Sequence, residues 1–294
     1  MPTIRTDDGV NLHYEEAGSG TPIVFVHEFA DDLRSFEPQV RFFSRSHRCI
    51  AYNARGYPPS DVPGDVDAYG QHRAADDIRD VMDGLGIDRA HVVGVSMGGF
   101  ATVHFGLRHA DRALSLAPGG AGYGSPPDVH QRFADEAAAL AARIAELGMR
   151  EVGEDYTVTS ARVQYQNKDP RGWADFKQRF QDRPAPGCAN TMKGVQSRRP
   201  SLHDLEDDLK AIQVPMLIMV GDEDDPSLDA SLYLKRTVPS AGLVVFPRTG
   251  HALNLEEPAL YNQHLAHFFH LVERGRWALR DPRSQTTAIL QSDG

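Results

Sequence analysis

The chain has 294 residues, 31 basic and 41 acidic, for a net charge of −10. That length supports a large core or two domains, and the absence of a strongly basic cluster argues against nucleic acid as a primary partner. There is no run of about 18 apolar residues to cross a membrane and no apolar N-terminal signal segment; the two cysteines, Cys49 and Cys188, are too few for a disulfide framework. These features predict a cytoplasmic protein.

In chain order, Thr3–Arg5 and Val10–Tyr14 flank Asp8-Gly9, a strong hairpin signal. Pro22 to His27 reads as a buried strand, Phe36 to Ser44 as a short helix, and Arg48 to Tyr52 as a strand that buries Cys49. Gln71 to Leu85 predicts a helix with Ile78, Val81, Met82 and Leu85 on one face and Gly86 ending it. His91-Val92-Val93 is a β-branched strand, Phe100 to Leu107 a helix, and Ala113 to Ala117 another strand. Strands alternating with helices imply an α/β fold, a mostly parallel twisted sheet with helices on both faces.

The alternation then stops. From Gly119 to about His203 no strand is evident. Ser125-Pro126-Pro127-Asp128 starts a helix, and Phe133, Ala137, Leu140, Ile144 and Leu147 recur at helical spacing. Further helices are expected over Glu151 to Tyr165, from Asp169-Pro170 through Trp173, Phe176 and Phe180, and around Cys188 to Val195. The sheet resumes with the apolar runs Val214–Val220 and Leu243–Phe246, and the last helix is Pro258 to Arg274. From Asp281 an extended tail is expected.

Chemistry concentrates at Gly94-Val95-Ser96-Met97-Gly98, between the His91–Val93 strand and the helix after it. A sharp strand-to-helix turn strains the serine at its apex, and side chains two positions to either side would collide with it. The strain holds the Ser96 hydroxyl clear of the sheet, where a base can reach it. Base and acid follow in the order serine, acid, histidine. Gly221-Asp222-Glu223-Asp224-Asp225 ends one strand and Thr249-Gly250-His251 follows the next. Both lie beyond the C-terminal ends of parallel strands, where ligands and catalytic groups gather. Asp222, Asp224 and Asp225 are all candidates for the acid.

These motifs resemble the α/β-hydrolase superfamily over nearly the whole chain, including Phe25-Val26-His27, Asn53–Ser60, the serine turn and Gly250-His251. The resemblance implies a serine hydrolase that cleaves a carboxylic ester or lactone through an acyl-enzyme on Ser96. It places the acid at Asp224, the base at His251, and the oxyanion donors at the backbone N–H groups of Met97 and Phe29. No cofactor or metal is implied, and the partner is a small-molecule substrate. Carbon–carbon bond hydrolases, enol-lactonases, thioesterases, cofactor-free oxygenases and ligand-binding receptors share the same three residues. Capped relatives imply that residues 121–207 form a helical lid over a core of 1–120 and 208–294, with Tyr123, Trp173 and Phe176 as pocket candidates. One departure stands out. Glu28 occupies a position after His27 that is usually glycine. A carboxylate there is expected either to pair with a base, Arg55 being a candidate, or to line the pocket.

Overall fold

The structure, a computed structural model, describes residues 1–285. Among them, eight strands form one sheet in the order β1-β2-β4-β3-β5-β6-β7-β8. β1 (Thr3–Arg5) and β2 (Asn11–Ala17) are the predicted hairpin, turning at Gly9 with φ 89°. β2 also pairs antiparallel with β4; every other pairing is parallel. β3 (Thr21–Val26), α1 (Glu37–Phe43), β4 (His47–Tyr52), α2 (Gln71–Gly84), β5 (Ala90–Val95), α3 (Met97–Arg108) and β6 (Ala113–Gly119) follow in α/β alternation.

The central strands are buried on both faces, and every residue of β5 is buried, His91 included. One face packs Val24, Val92 and Ile218 under α2 and α3, Val103 of α3 among the residues that meet them. The other packs Phe25, Val93, Met219 and Phe268 against helices from both ends of the chain.

Between β6 and β7 the described residues are helical only. α4 (Pro127–Tyr156), α5 (Val163–Lys168), α6 (Pro170–Gln181) and α7 (Ala185–Thr191) make up this insertion, and α8 (Glu206–Ala211) leads back to the sheet. Its stripe of Ala137, Ala141 and Ile144 is buried against Phe29, Tyr57 and Met97, a third core between the insertion and the strand ends. Two expectations shift here. Gly148, at φ 80° and ψ 167°, breaks α4, and Leu147 just before it stays exposed instead of completing the stripe. The helix expected to reach Tyr165 stops at Tyr156. A short 3₁₀ turn, Ser160–Arg162, and α5 take over from there.

The sheet resumes with β7 (Met216–Gly221), α9 (Asp225–Thr237), β8 (Ala241–Phe246), α10 (Leu253–Glu256) and α11 (Pro258–Glu273). The segment expected to be extended after Asp281 instead forms a 3₁₀ turn over Pro282–Gln285; the rest of that tail lies outside the described residues. No helix among the described residues is long and apolar enough to cross a membrane.

Candidate active site

Ser96 sits between β5 and α3 with φ 56° and ψ −116°. A backbone held there costs about 1–3 kcal/mol and persists only when its surroundings over-determine it. The two flanking glycines show how. A Cβ on Gly94 would lie 2.1 Å from the Gly98 carbonyl oxygen, and one on Gly98 would lie 2.0 Å from that of Val26. The Ser96 N–H donates to Gly119 O at 2.7 Å, tying the turn to β6.

Of the three candidate acids, Asp224 reaches the histidine: His251 Nδ1 lies 2.7 Å from Asp224 Oδ2. Asp222 and Asp225 are exposed, and Asp222 accepts the Thr249 N–H at 3.1 Å, bracing the histidine loop. Asp224 is 2% exposed. Burial by itself would lower the His251 pKa, but the Asp224 carboxylate outweighs it and raises the imidazole above its ordinary value. Glu256 holds the loop from beneath, accepting the N–H groups of Gly250 at 2.8 Å and Ala252 at 3.1 Å.

Ser96, His251 and Asp224 line one cavity of about 360 Å³, within the range of small-molecule sites. Its other walls come from Phe29 and from the insertion, including Leu140, Tyr156, Arg162 and Arg199. Phe29 N–H has no acceptor among the described residues, and Met97 opens α3, where first-turn N–H groups lack helical acceptors.

A family model described as the alpha/beta hydrolase fold matches residues 21–258. The chain belongs to this family. It is 28% identical over 283 residues to the AB hydrolase superfamily protein YisY of Bacillus subtilis, covering 90% of this chain and 97% of that one. It is 24% identical over 267 residues to 3-oxoadipate enol-lactonase 1 of Acinetobacter baylyi, covering 90% and 94%. A thermophilic esterase from Thermogutta terrifontis superposes with a TM-score of 0.81 at 25% identity, over 92% of this chain and 98% of that one. Family and relatives together make the chain a hydrolase.

His27 stands in the loop after β3. Here its Nε2 accepts the Ala54 N–H at 3.0 Å, so the proton is on Nδ1, which donates to Glu28 O at 2.7 Å. Burial lowers its pKa, so His27 is a neutral loop brace.

Glu28 does pair with a base, but with Arg162 of the insertion and not with Arg55. Both carboxylate oxygens accept from the Arg162 guanidinium, one at 2.9 Å. Arg55 is engaged by Asp77 and Asp8. Burial pushes the Glu28 carboxyl up, yet Arg162 prevails and holds it below its ordinary value. Glu28 therefore commits its charge to Arg162, and it is the next residue, Phe29, that lines the cavity. The next residues of the loop are held the same way. Asp31 receives a bidentate bond from Arg179 at 2.8 and 2.6 Å, and Arg183 donates to the carbonyls of Phe29 and Ala30.

The aromatic candidates divide. Tyr123 lines the cavity. Trp173 and Phe176 do not. Trp173 donates Nε1–H to Thr157 O at 2.9 Å, and Phe176 is fully buried beneath Arg162, 5.0 Å from its ring centre. Both dock helix on helix, because α6 turns its apolar stripe inward to α4 and α5. Sequence reasoning missed Arg162, Arg179, Arg183 and Arg199. The signal present was an acidic loop after a buried strand, in which Glu28 and Asp31 find Arg162 and Arg179 134 and 148 residues away in sequence while Asp32 pairs with Arg34 close by; nothing in it marked Arg199.

Proposed function

We propose that the protein is a serine hydrolase that cleaves a carboxylic ester or lactone through an acyl-enzyme on Ser96. The observation that carries this reading is the 2.7 Å His251–Asp224 bond opening onto the same cavity as the strained Ser96. His251 Nδ1–H is committed to Asp224, which leaves Nε2 as the base. It takes the Ser96 proton as the hydroxyl attacks the carbonyl and returns it to the departing alcohol. It then activates water to release the acyl group. The oxyanion is received by the N–H groups of Met97 and Phe29, and losing one such donor costs about 10²–10³ in turnover. The insertion, residues 121–207, serves as a lid that excludes water and shapes the acyl pocket. The named esterase and enol-lactonase relatives support an ester-like bond as the target.

Ser96→Ala should abolish hydrolysis of a short-chain aryl ester without shifting thermal unfolding by more than a few degrees. A serine-directed phosphonate should label Ser96 alone in the native protein. Labelling elsewhere, or turnover in the alanine variant, would sink the assignment.

A further inference from the structure

Two arginines of the insertion reach the cavity wall, and only one of them is neutralised. Arg162 is matched by Glu28. Arg199 is 6% exposed, and no carboxylate among the described residues pairs with it. Its guanidinium is stacked between two rings, 4.6 Å from the centre of Phe100 and 4.3 Å from that of Phe133. Its hydrogen-bond partners are neutral: Gln196 Oε1 at 2.6 Å and the Tyr123 carbonyl. Burial without a counter-ion pulls its pKa down to about 9, which leaves it charged at neutral pH.

The cavity's own carboxylates are spoken for. Asp224 is bonded to His251, and Glu136 faces Arg132 at 3.8 Å. Neither offers itself to Arg199. Burying an unpaired cation is costly, and stacking on aromatic faces offsets only part of that cost. The donor fork of a guanidinium suits a planar carboxylate in two-point contact. The two rings and Gln196 hold that fork in place, and Gln196 sits at the end of a π-turn, Met192–Gln196, whose first and last residues both line the cavity.

We propose that Arg199 is a carboxylate-recognition site, so that the preferred substrate is an acidic ester or lactone whose carboxylate docks on Arg199 while its reacting carbonyl lies at Ser96. This assignment of substrate class rests on the reading of Ser96 as nucleophile. The carboxylate supplies the counter-charge the fold omits, and it orients the acyl chain along the axis from Arg199 to the serine.

The test uses a matched pair of aryl esters, p-nitrophenyl butyrate and the mono-p-nitrophenyl ester of glutaric acid, with Arg199→Gln and Arg199→Lys. A charge-assisted bond of the usual strength predicts that Arg199→Gln lowers the acidic-to-neutral ratio of kcat/KM by about 10–100-fold. Arg199→Lys, which keeps the charge but not the fork, should lower the ratio less. Equal losses on both esters in either variant overturn the proposal. Calorimetric binding of glutarate to Ser96→Ala gives a readout independent of turnover. Glutarate should bind that variant and lose affinity by a similar factor when Arg199→Gln is added; unchanged affinity overturns the proposal. If wild-type protein hydrolyses neither ester while glutarate binds through Arg199, the carboxylate site stands and the ester-cleavage reading falls. Should Arg199→Gln show no cooperative unfolding, Arg199→Lys carries both measurements.

Discussion

The floor and the roof of the cavity are built by different physics. The floor belongs to the sheet. Ser96, Asp224 and His251 stand at the ends of β5, β7 and β8, and strand register with short turns sets their spacing. The roof belongs to the insertion, where Arg162, Arg179, Arg183 and Arg199 cross from helices and turns to grip or face the loop and cavity below. A floor of this kind tolerates many roofs. Under the proposed function, reaction chemistry falls to the floor and substrate selection to the roof, one way a single fold serves many substrates.

The comparison is broken most directly on the floor. Asp224→Asn should lower kcat by about 10³–10⁴-fold, because an amide favours the wrong imidazole tautomer, whereas Asp222→Asn and Asp225→Asn, at exposed positions, should change it several-fold at most. The pH profile sharpens the point. His251 must be neutral to act as base, and its pKa is raised above the ordinary 6.5, so kcat/KM should rise with pH around a midpoint above 6.5. Residual activity in Asp224→Asn should titrate at lower pH. Stability runs the other way. A pKa raised on folding adds stability below the unfolded value and loses it as pH rises through the folded value. Activity and the histidine's contribution to stability therefore trade against each other across that window. A wild-type midpoint below 6.5 would overturn the His251–Asp224 coupling.

The division also explains what the sequence disclosed. The serine turn was legible because its signals are local: Gly94 and Gly98 bracket Ser96 within five residues, and the sterics that require them act inside one turn; the acid, by contrast, was left open among Asp222, Asp224 and Asp225 by the residues alone. The α/β alternation was legible for the same reason, since buried parallel strands read as apolar runs. The roof was legible only as helices. Which aromatic faces the cavity depends on how α6 is rotated against α4, and a helical stripe of Trp173, Phe176 and Phe180 is the same whether it meets a pocket or a neighbouring helix. The base that answers Glu28 was sought in Arg55, in the loop after the next strand. It came from Arg162, 134 residues away, and no spacing rule connects the two.

Where floor and roof meet, the Glu28–Arg162 pair should show a stability effect larger than its catalytic one. Both side chains are buried, at 3% and 2% exposure. Arg162→Met strands a buried carboxylate and should destabilise by about 3–5 kcal/mol, read as a drop in the urea midpoint at pH 7. Glu28→Gln should cost less, since the amide still accepts one bond from Arg162. It should lower turnover by about tenfold through a looser Phe29 N–H. The sign with pH is fixed. Glu28 has a folded pKa below its ordinary 4.5, so its stabilisation is present above that value and is lost as pH falls through the folded one. Wild type and Glu28→Gln should therefore converge in stability in acid. Equal differences at pH 7 and at the acid end would show that the pair is not the source.

The smallest effect should come from Trp173, and it tests whether an insertion aromatic can be large and still mute in catalysis. Its indole N–H bonds Thr157 O at 2.9 Å, and Lys177 lies 5.7 Å from the ring centre. Trp173→Phe keeps the ring against α4 and removes one neutral hydrogen bond, worth about 1 kcal/mol. Thr157 is fully buried, so its carbonyl is left without that donor. The unfolding midpoint should fall by a few degrees, while kcat/KM stays within about twofold, since nothing lining the cavity moves. Tyr123→Ala is the control from the other class of insertion aromatic: its ring lines the cavity and packs edge-on against Phe133, on which Arg199 stacks. Its effect should appear in KM for acidic esters and hardly at all in stability. A Trp173→Phe variant that kept its midpoint but lost tenfold in kcat/KM would show that α6 faces the substrate, and the line drawn between docking and lining residues would have to be redrawn.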